Sequence, residues 1–221
     1  LKQVVARAVR LRRIARLKQE ALSLVSKGGL GLSDRLGLEA SFERMLETLW
    51  MAYQPIVRTS DGALFGYEAL LRSNEKSLPH AGAILDAAER LGRTDELGSA
   101  IRAAVVKPLS RASGHALLFV NLHSRDLMDE TLYALEAPLS CVAERVVLEI
   151  TERSALDDVD DVRGKIARLR KMGFRIAVDD LGAGYSGLTS FAMLEPELVK
   201  LDMTLVRDID TRVWQLLVAT P

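Results

Sequence analysis

The sequence predicts an α/β protein whose mainly parallel sheet or barrel begins with one antiparallel strand. Three observations carry that expectation. Apolar, strand-like runs alternate with helical patterns of about 10–15 residues, as parallel units joined by crossovers do. The first two runs are joined by Thr59-Ser60-Asp61-Gly62, a turn far too short for a parallel crossover, so they must pair antiparallel. Finally, the runs Leu64–Arg72, Leu117–Asn121, Val146–Glu152 and Phe174–Asp180 each carry a carboxylate or amide toward one end. Ionised carboxylates are rarely buried without a partner or a metal. One acid at a strand end is ordinary, but its repetition suggests an oxygen-rich cation site at one end of the sheet.

Composition narrows the function classes. The 221 residues suffice for one large α/β domain with a short appendage, and 48% hydrophobic content supports a substantial core. Thirty basic and thirty acidic residues cancel, giving no electrostatic hint of a DNA partner. A single cysteine, Cys141, excludes an intrachain disulfide and fits the reducing cytoplasm; in a short loop before a strand it reads as a packing residue. No apolar run approaches the roughly 20 residues of a membrane span. The chain begins at Leu1 rather than Met, which reads as a piece of a longer polypeptide.

Each element follows from its local pattern. Residues 1–27 form one predicted helix, with seven apolar residues at the eight seam positions 1, 4, 8, 11, 15, 18, 22 and 25. Residues 1–32 therefore read as a connector or coiled-coil helix leading from an upstream domain, and 33–221 as the main domain. Arg7, Arg10, Arg12, Arg13 and Arg16 leave a membrane- or RNA-binding helix as the alternative. Gly28-Gly29 and Gly31 break the pattern, and Ser33-Asp34 can cap a helix ending near Trp50. Strands follow at Gln54–Val57 and Ala63–Arg72, then helices around 81–91 and 95–109, with Thr94 or Asp95 as cap. The strand ending at Asn121 precedes a helix near 124–136, and the strand ending at Glu149 precedes one near 157–172 that stops at Gly173. The last elements are the strand ending at Asp180, a glycine-containing loop, a further helix and the short strand Leu198–Asp202.

Taken singly, the polar residues have ordinary readings. Asp179-Asp180 before Leu181-Gly182-Ala183-Gly184-Tyr185-Ser186 suits turn chemistry or a helix cap as well as a metal. Adjacent strand residues face opposite ways, so both acids meet one site only where the backbone turns. Glu149 and Glu152 read as solvated strand ends or ligands, Asn121 as a cap or ligand, and Glu68 as an ion-pair partner of Arg72 or a ligand. Lys200, alternating with Val199 and Leu201, needs an acidic partner if it points into a barrel mouth. His80, His115 and His123 support no histidine-rich site, and His123 reads as a solvated strand-end residue.

In combination they say more. Tyr53-Gln54-Pro55-Ile56, Glu68-Ala69-Leu70-Leu71-Arg72, Asn121-Leu122, Leu148-Glu149-Ile150-Thr151-Glu152, Asp179-Asp180-Leu181-Gly182-Ala183-Gly184-Tyr185-Ser186 and Lys200-Leu201-Asp202 occur in that order. Across residues 40–210 the series resembles the EAL domain of bacterial cyclic-di-GMP phosphodiesterases. The resemblance implies a modified TIM (β/α)8 barrel with an antiparallel first strand, and hydrolysis of cyclic-di-GMP to linear pGpG by two Mg²⁺ or Mn²⁺ ions. It makes Glu68, Asn121, Glu149, Asp179 and Asp180 metal ligands, and Lys200, with Glu68, catalytic. Arg72 would hold a ligand phosphate, Gln54 and Leu70 would line the pocket, and Glu152 would brace the loop 181–187. A homodimer and an upstream regulatory domain are also implied. The alternative is a catalytically silent EAL-type receptor of cyclic-di-GMP, or a protein-interaction module.

Two departures accompany the resemblance. Leu181, Ala183 and Gly187 stand where the commonest family pattern has Phe, Thr and Ser, which alters only loop packing. The family pattern also continues to a seventh strand ending in a metal-binding Glu and an eighth carrying a Gln. From Asp202 this sequence runs through Val213–Val218 to Pro221 without them, so the predicted barrel lacks its last two strands. A longer native protein, a naturally shortened binding module and strands supplied by a partner chain all fit that reading.

Overall fold

The computed structural model describes residues 32–107, 116–151, 156, 159–182 and 187–207. Among these the strands form one sheet in the order β1 to β6: β1 (Trp50–Val57), β2 (Leu64–Arg72), β3 (Leu117–Asn121), β4 (Val146–Thr151), β5 (Arg175–Leu181) and β6 (Leu198–Leu201). β1 pairs antiparallel with β2, and every later pairing is parallel. The turn behaves as its residues dictate. Gly62 sits at φ 68°, Ala63 N–H donates to Asp61 at 3.0 Å, and Arg58 closes the loop against Ala63 and Gly62.

Helices α1 (Leu32–Thr48), α2 (Ala81–Leu91), α3 (Thr94–Val105), α4 (Val162–Lys171), α5 (Gly187–Leu194) and α6 (Met203–Val206) complete the described chain. The α2 helix opens on His80, whose Nδ1 accepts the Ala83 N–H, and closes on Gly92 at φ 69°. The expected cap of α3 differs. Its N-cap is Arg93, which makes no side-chain cap bond and instead ion-pairs with Glu96 and Glu43. The helix beginning at 162 stops at Met172 and Gly173, as expected. The connector predicted over 1–32 lies almost wholly outside the described residues.

The helix predicted near 124–136 is instead two short 3₁₀ turns, Ser124–Met128 and Glu130–Tyr133. Aspartate side chains compete with the backbone here. Asp126 accepts the His123 N–H at 2.9 Å, and Asp129, with extended backbone at φ −81° and ψ 108°, accepts the Thr131 N–H at 2.9 Å. Both acids turn toward Arg102 of α3, which is 8% exposed and bonds Asp126 at 2.9 Å, Thr131 at 3.1 Å and Asp129. Removing one member of a buried ion cluster strands the others without compensation. Arg102→Ala is therefore expected to cost about 3–5 kcal/mol, read as a fall in thermal midpoint.

Two hydrophobic clusters divide the sheet by face. The larger, including Phe42, Met45, Ile84, Leu97, Leu127, Leu148, Ile150, Ile166, Leu169 and Ile176, packs strands against helices. Each such side chain contributes about 1.5–3 kcal/mol on burial. The smaller gathers Phe119, Val147 and Ala177, with Ile56, Phe65, Leu117 and Leu198 packed against them. Burial on both faces explains why Val146–Ile150 is entirely buried, apolar at every position except Glu149 rather than alternating. Gly66 makes room on the inner face. A Cβ there would stand 2.7 Å from Leu117 O and 3.0 Å from the Phe119 ring.

Candidate functional site

The smaller cluster is the floor of the site. Strand side chains repeat with period two, so two residues beyond Phe119, Val147, Ala177 and Leu198 stand Asn121, Glu149, Asp179 and Lys200. The register aligns them: Asn121 opposes Glu149, Thr151 opposes Asp179, and Glu68 opposes Phe119 on one side and Gln54 on the other. An apolar floor thus gives way to a polar rim at the C-terminal strand ends.

Three acids converge there. Carboxylate oxygens of Glu68, Glu149 and Asp179 lie within 4.8 Å of one another. The Lys200 ammonium sits among them, 3.2 Å from Glu68, 2.8 Å from Glu149 and 3.1 Å from Asp179. Glu149 is 0% exposed, and neither of its carboxylate oxygens receives a well-directed hydrogen bond, so Lys200 meets it as an ion pair. Burial pushes the Glu149 carboxyl up to about 7, Lys200 opposes that, and the charges of Glu68 and Asp179 reinforce it. Burial works against the Lys200 ammonium too. Glu149 and then Asp179 outweigh it and hold Lys200 above its ordinary value.

A bulge in β5 separates the two adjacent aspartates. Val178 opposes Val199 and Leu181 opposes Leu201, so Asp179 and Asp180 together face Lys200. Asp180 adopts the left-handed region at φ 57° and donates its N–H to Asp179 Oδ1 at 2.8 Å. Asp179 turns inward and Asp180 is exposed. Asn121 is likewise exposed at the end of β3. Gln54 is exposed on β1, while Leu70 and Arg72 continue the face of Glu68 on β2. The alternative reading of Glu68 as an ion-pair partner of Arg72 is not what forms: Glu68 meets Lys200, and Arg72 Nη1 donates to Leu71 O at 2.8 Å. Glu152 and residues 183–186 lie outside the described residues.

The remaining polar residues are ordinary or corrected. His123 caps the 3₁₀ turn, accepting the Arg125 N–H at 3.2 Å. Cys141 is exposed rather than packed, because the turn from Ser140 to Arg145 carries it on the outside.

The donors of the cluster are hard oxygens, which suit Mg²⁺, Mn²⁺ or Ca²⁺ rather than zinc or copper. Glu149 offers two buried oxygens without hydrogen bonds, and a divalent ion would satisfy them. The residues therefore fit a metal. No described helix is long and apolar enough to cross a membrane.

Fold and site together define an α/β barrel-type domain with an acidic cluster at the C-terminal strand ends. The chain belongs to the EAL domain family, whose model matches residues 39–216. The cyclic di-GMP phosphodiesterase NbdA of Pseudomonas aeruginosa is 30% identical over 176 residues, covering 74% of this chain and 22% of NbdA. Against the Klebsiella pneumoniae BlrP1 complex with manganese and cyclic-di-GMP the TM-score is 0.64 at 29% identity, over 77% of this chain and 44% of that one. The PaMucR phosphodiesterase in complex with cyclic-di-GMP gives 0.69 at 24% identity, over 82% and 78%, a likeness of fold. The chain spans between 20% and 32% of the length of the curated relatives it matches.

Proposed function

We propose that this chain is a cyclic-di-GMP phosphodiesterase domain that opens one phosphodiester bond to give linear pGpG. The observation that carries the reading is the convergence of Glu68, Glu149 and Asp179 around Lys200. Glu68, Glu149 and Asp179 would hold divalent ions, Mg²⁺ or Mn²⁺, with Asn121 and Asp180 completing the ligand set from the adjoining strand ends. Two such ions supply an activated water and neutralise charge on the reacting phosphate. Lys200, charged and fixed among the carboxylates, would orient the attacking water. Arg72 would hold a phosphate, Gln54 and Leu70 would line the pocket, and Glu152 would brace the loop 181–187. The same reading takes residues 1–32 as a connector from an upstream regulatory domain and the working unit as a cytoplasmic homodimer.

The test is metal-dependent conversion of cyclic-di-GMP to pGpG by this chain, with Glu68→Ala beside it. Losing one ligand removes part of several kcal/mol of charge stabilisation, so turnover by Glu68→Ala is expected to fall at least about 100-fold. Binding of cyclic-di-GMP without metal-dependent cleavage by the parent chain would refute the enzyme and leave a receptor.

A further inference from the structure

The β5–β6 ladder is interrupted at the site itself. The bulge sets two residues of β5 against Lys200, so regular pairing cannot fix where that side chain points. The strand is anchored on either side. Downstream, the Asp202 N–H donates to Leu181 O at 3.1 Å. Upstream stands Glu197, three residues before Lys200. Its own N–H donates to Ile176 O at 3.0 Å, and its Oε2 accepts the Ile176 N–H at 2.8 Å. The side chain thus supplies the acceptor for a β5 donor that a backbone carbonyl on the β6 side would otherwise provide.

Glu197 is itself held from outside the sheet. Arg170, in the last turn of α4, bonds Glu197 Oε1 at 2.5 Å and also donates to the carbonyls of Leu194 and Glu195. Those carbonyls belong to the sharp exit from α5, where Glu195 has φ 45°. One guanidinium therefore gathers the end of α4, the end of α5 and the start of β6.

We propose that Glu197 and Arg170 form a clamp that positions Lys200 among its three carboxylates. Neither touches the reacting atoms; both are positioning residues, acting through β6. The clamp lies beside β5 and β6, away from Gln54, Leu70 and Arg72 on β1 and β2, so it sets chemistry and not ligand affinity. That consequence rests on the phosphodiesterase reading, whereas the placement of Lys200 does not.

The test uses the full 221-residue chain, with parallel readouts on Glu197→Ala and Glu197→Gln. The first is acylation of lysines in metal-free protein by an amine-reactive ester, mapped by mass spectrometry with exposed Lys76 as internal reference. Lys200 is expected to label more slowly than Lys76 in the parent chain. Glu197→Ala removes most of that protection, about tenfold in rate, while Glu197→Gln, which keeps an oxygen for Ile176 N–H, retains it in large part. The second readout is steady-state kinetics. Glu197→Ala lowers kcat about 10–100-fold with KM unchanged, and Glu197→Gln recovers much of the loss.

Parent-like Lys200 labelling in Glu197→Ala overturns the clamp. So does faster labelling of every lysine alike together with a lowered thermal midpoint, the signature of general loosening. If the parent chain shows no turnover, the phosphodiesterase reading fails, and the labelling result alone decides the clamp.

Discussion

Replacing Glu149 by glutamine is expected to make the metal-free protein more stable while abolishing its chemistry. Glu149 is fully buried, its oxygens lack hydrogen bonds, and burial pushes its carboxyl up to about 7 from 4.5. A raised acid pKa means that the folded state binds the proton more tightly than the unfolded chain does. Below pH 4.5 both states are protonated and nothing is lost; between 4.5 and about 7 the unfolded chain ionises while the buried carboxyl keeps its proton, so stability falls, and above about 7 the full cost is in place. At about 1.4 kcal/mol per unit the full effect is about 3 kcal/mol, an upper bound on what glutamine can recover. In chelator, the parent chain should thus lose thermal stability across this window, and Glu149→Gln should have a flatter profile.

Divalent ions should reverse that order. A ligand that binds only the folded state stabilises it by about 2.7 kcal/mol at one hundred times its dissociation constant. The parent chain gains this increment because the ion satisfies Glu149. The glutamine variant, with a weaker donor at the buried position, gains little at the same concentration, and its turnover falls about 1000-fold or more. Thermal unfolding with and without Mg²⁺ or Mn²⁺, at pH 5 and pH 8, measures both signs. A parent chain whose midpoint ignores both pH and metal would remove the physical basis for placing ions at Glu149.

The strands were legible because hydrophobic patterning and turn chemistry are local. Thr59–Gly62 announced the antiparallel hairpin, and Gly92 and Gly173 stand where helices stop. Register then carried the legible strands into a legible site, since carboxylates two residues past inner-face apolar residues must share that face. Where side chains compete with backbone the local pattern misleads. The periodicity of 124–136 suits a helix, but Asp126 and Asp129 serve Arg102 and the chain breaks into two 3₁₀ turns. The alternative Glu68–Arg72 pairing failed for a related reason: the better partner for Glu68 comes from β6, far away in sequence. Glu197 was invisible because Glu195-Pro196-Glu197 reads as a solvated loop until β5 is placed beside it. The bulge at Asp179-Asp180 had a partial signal, two acids before a glycine-containing loop, but which one turns inward is decided only by pairing with β6.

Lys200→Met tests the opposite side of the same electrostatic balance, and its effects should run contrary to those of Glu149→Gln. The ammonium is the only cation within ion-pair reach of all three acids among the described residues. Without it, three carboxylates within 4.8 Å repel one another and Glu149 keeps a buried charge with no counter-ion. The metal-free variant should therefore be less stable than the parent, because breaking a buried pair costs about 3–5 kcal/mol before neighbouring groups relax. Part of that loss is taken up by protonation of Glu149, so the deficit should grow with rising pH. The uncompensated acids should also bind a divalent ion more tightly than the parent chain does, since no ammonium competes for them. Turnover nevertheless falls about 100- to 10,000-fold, the usual range for losing a group that handles the reacting proton or water. Calorimetric titration with Mn²⁺, alongside pGpG release, separates the two roles. Tighter metal binding with lost turnover is the expected pair of results. Weaker binding with lost turnover would mean that Lys200 builds the ion site rather than acting beside it, and undiminished turnover would exclude it from the chemistry.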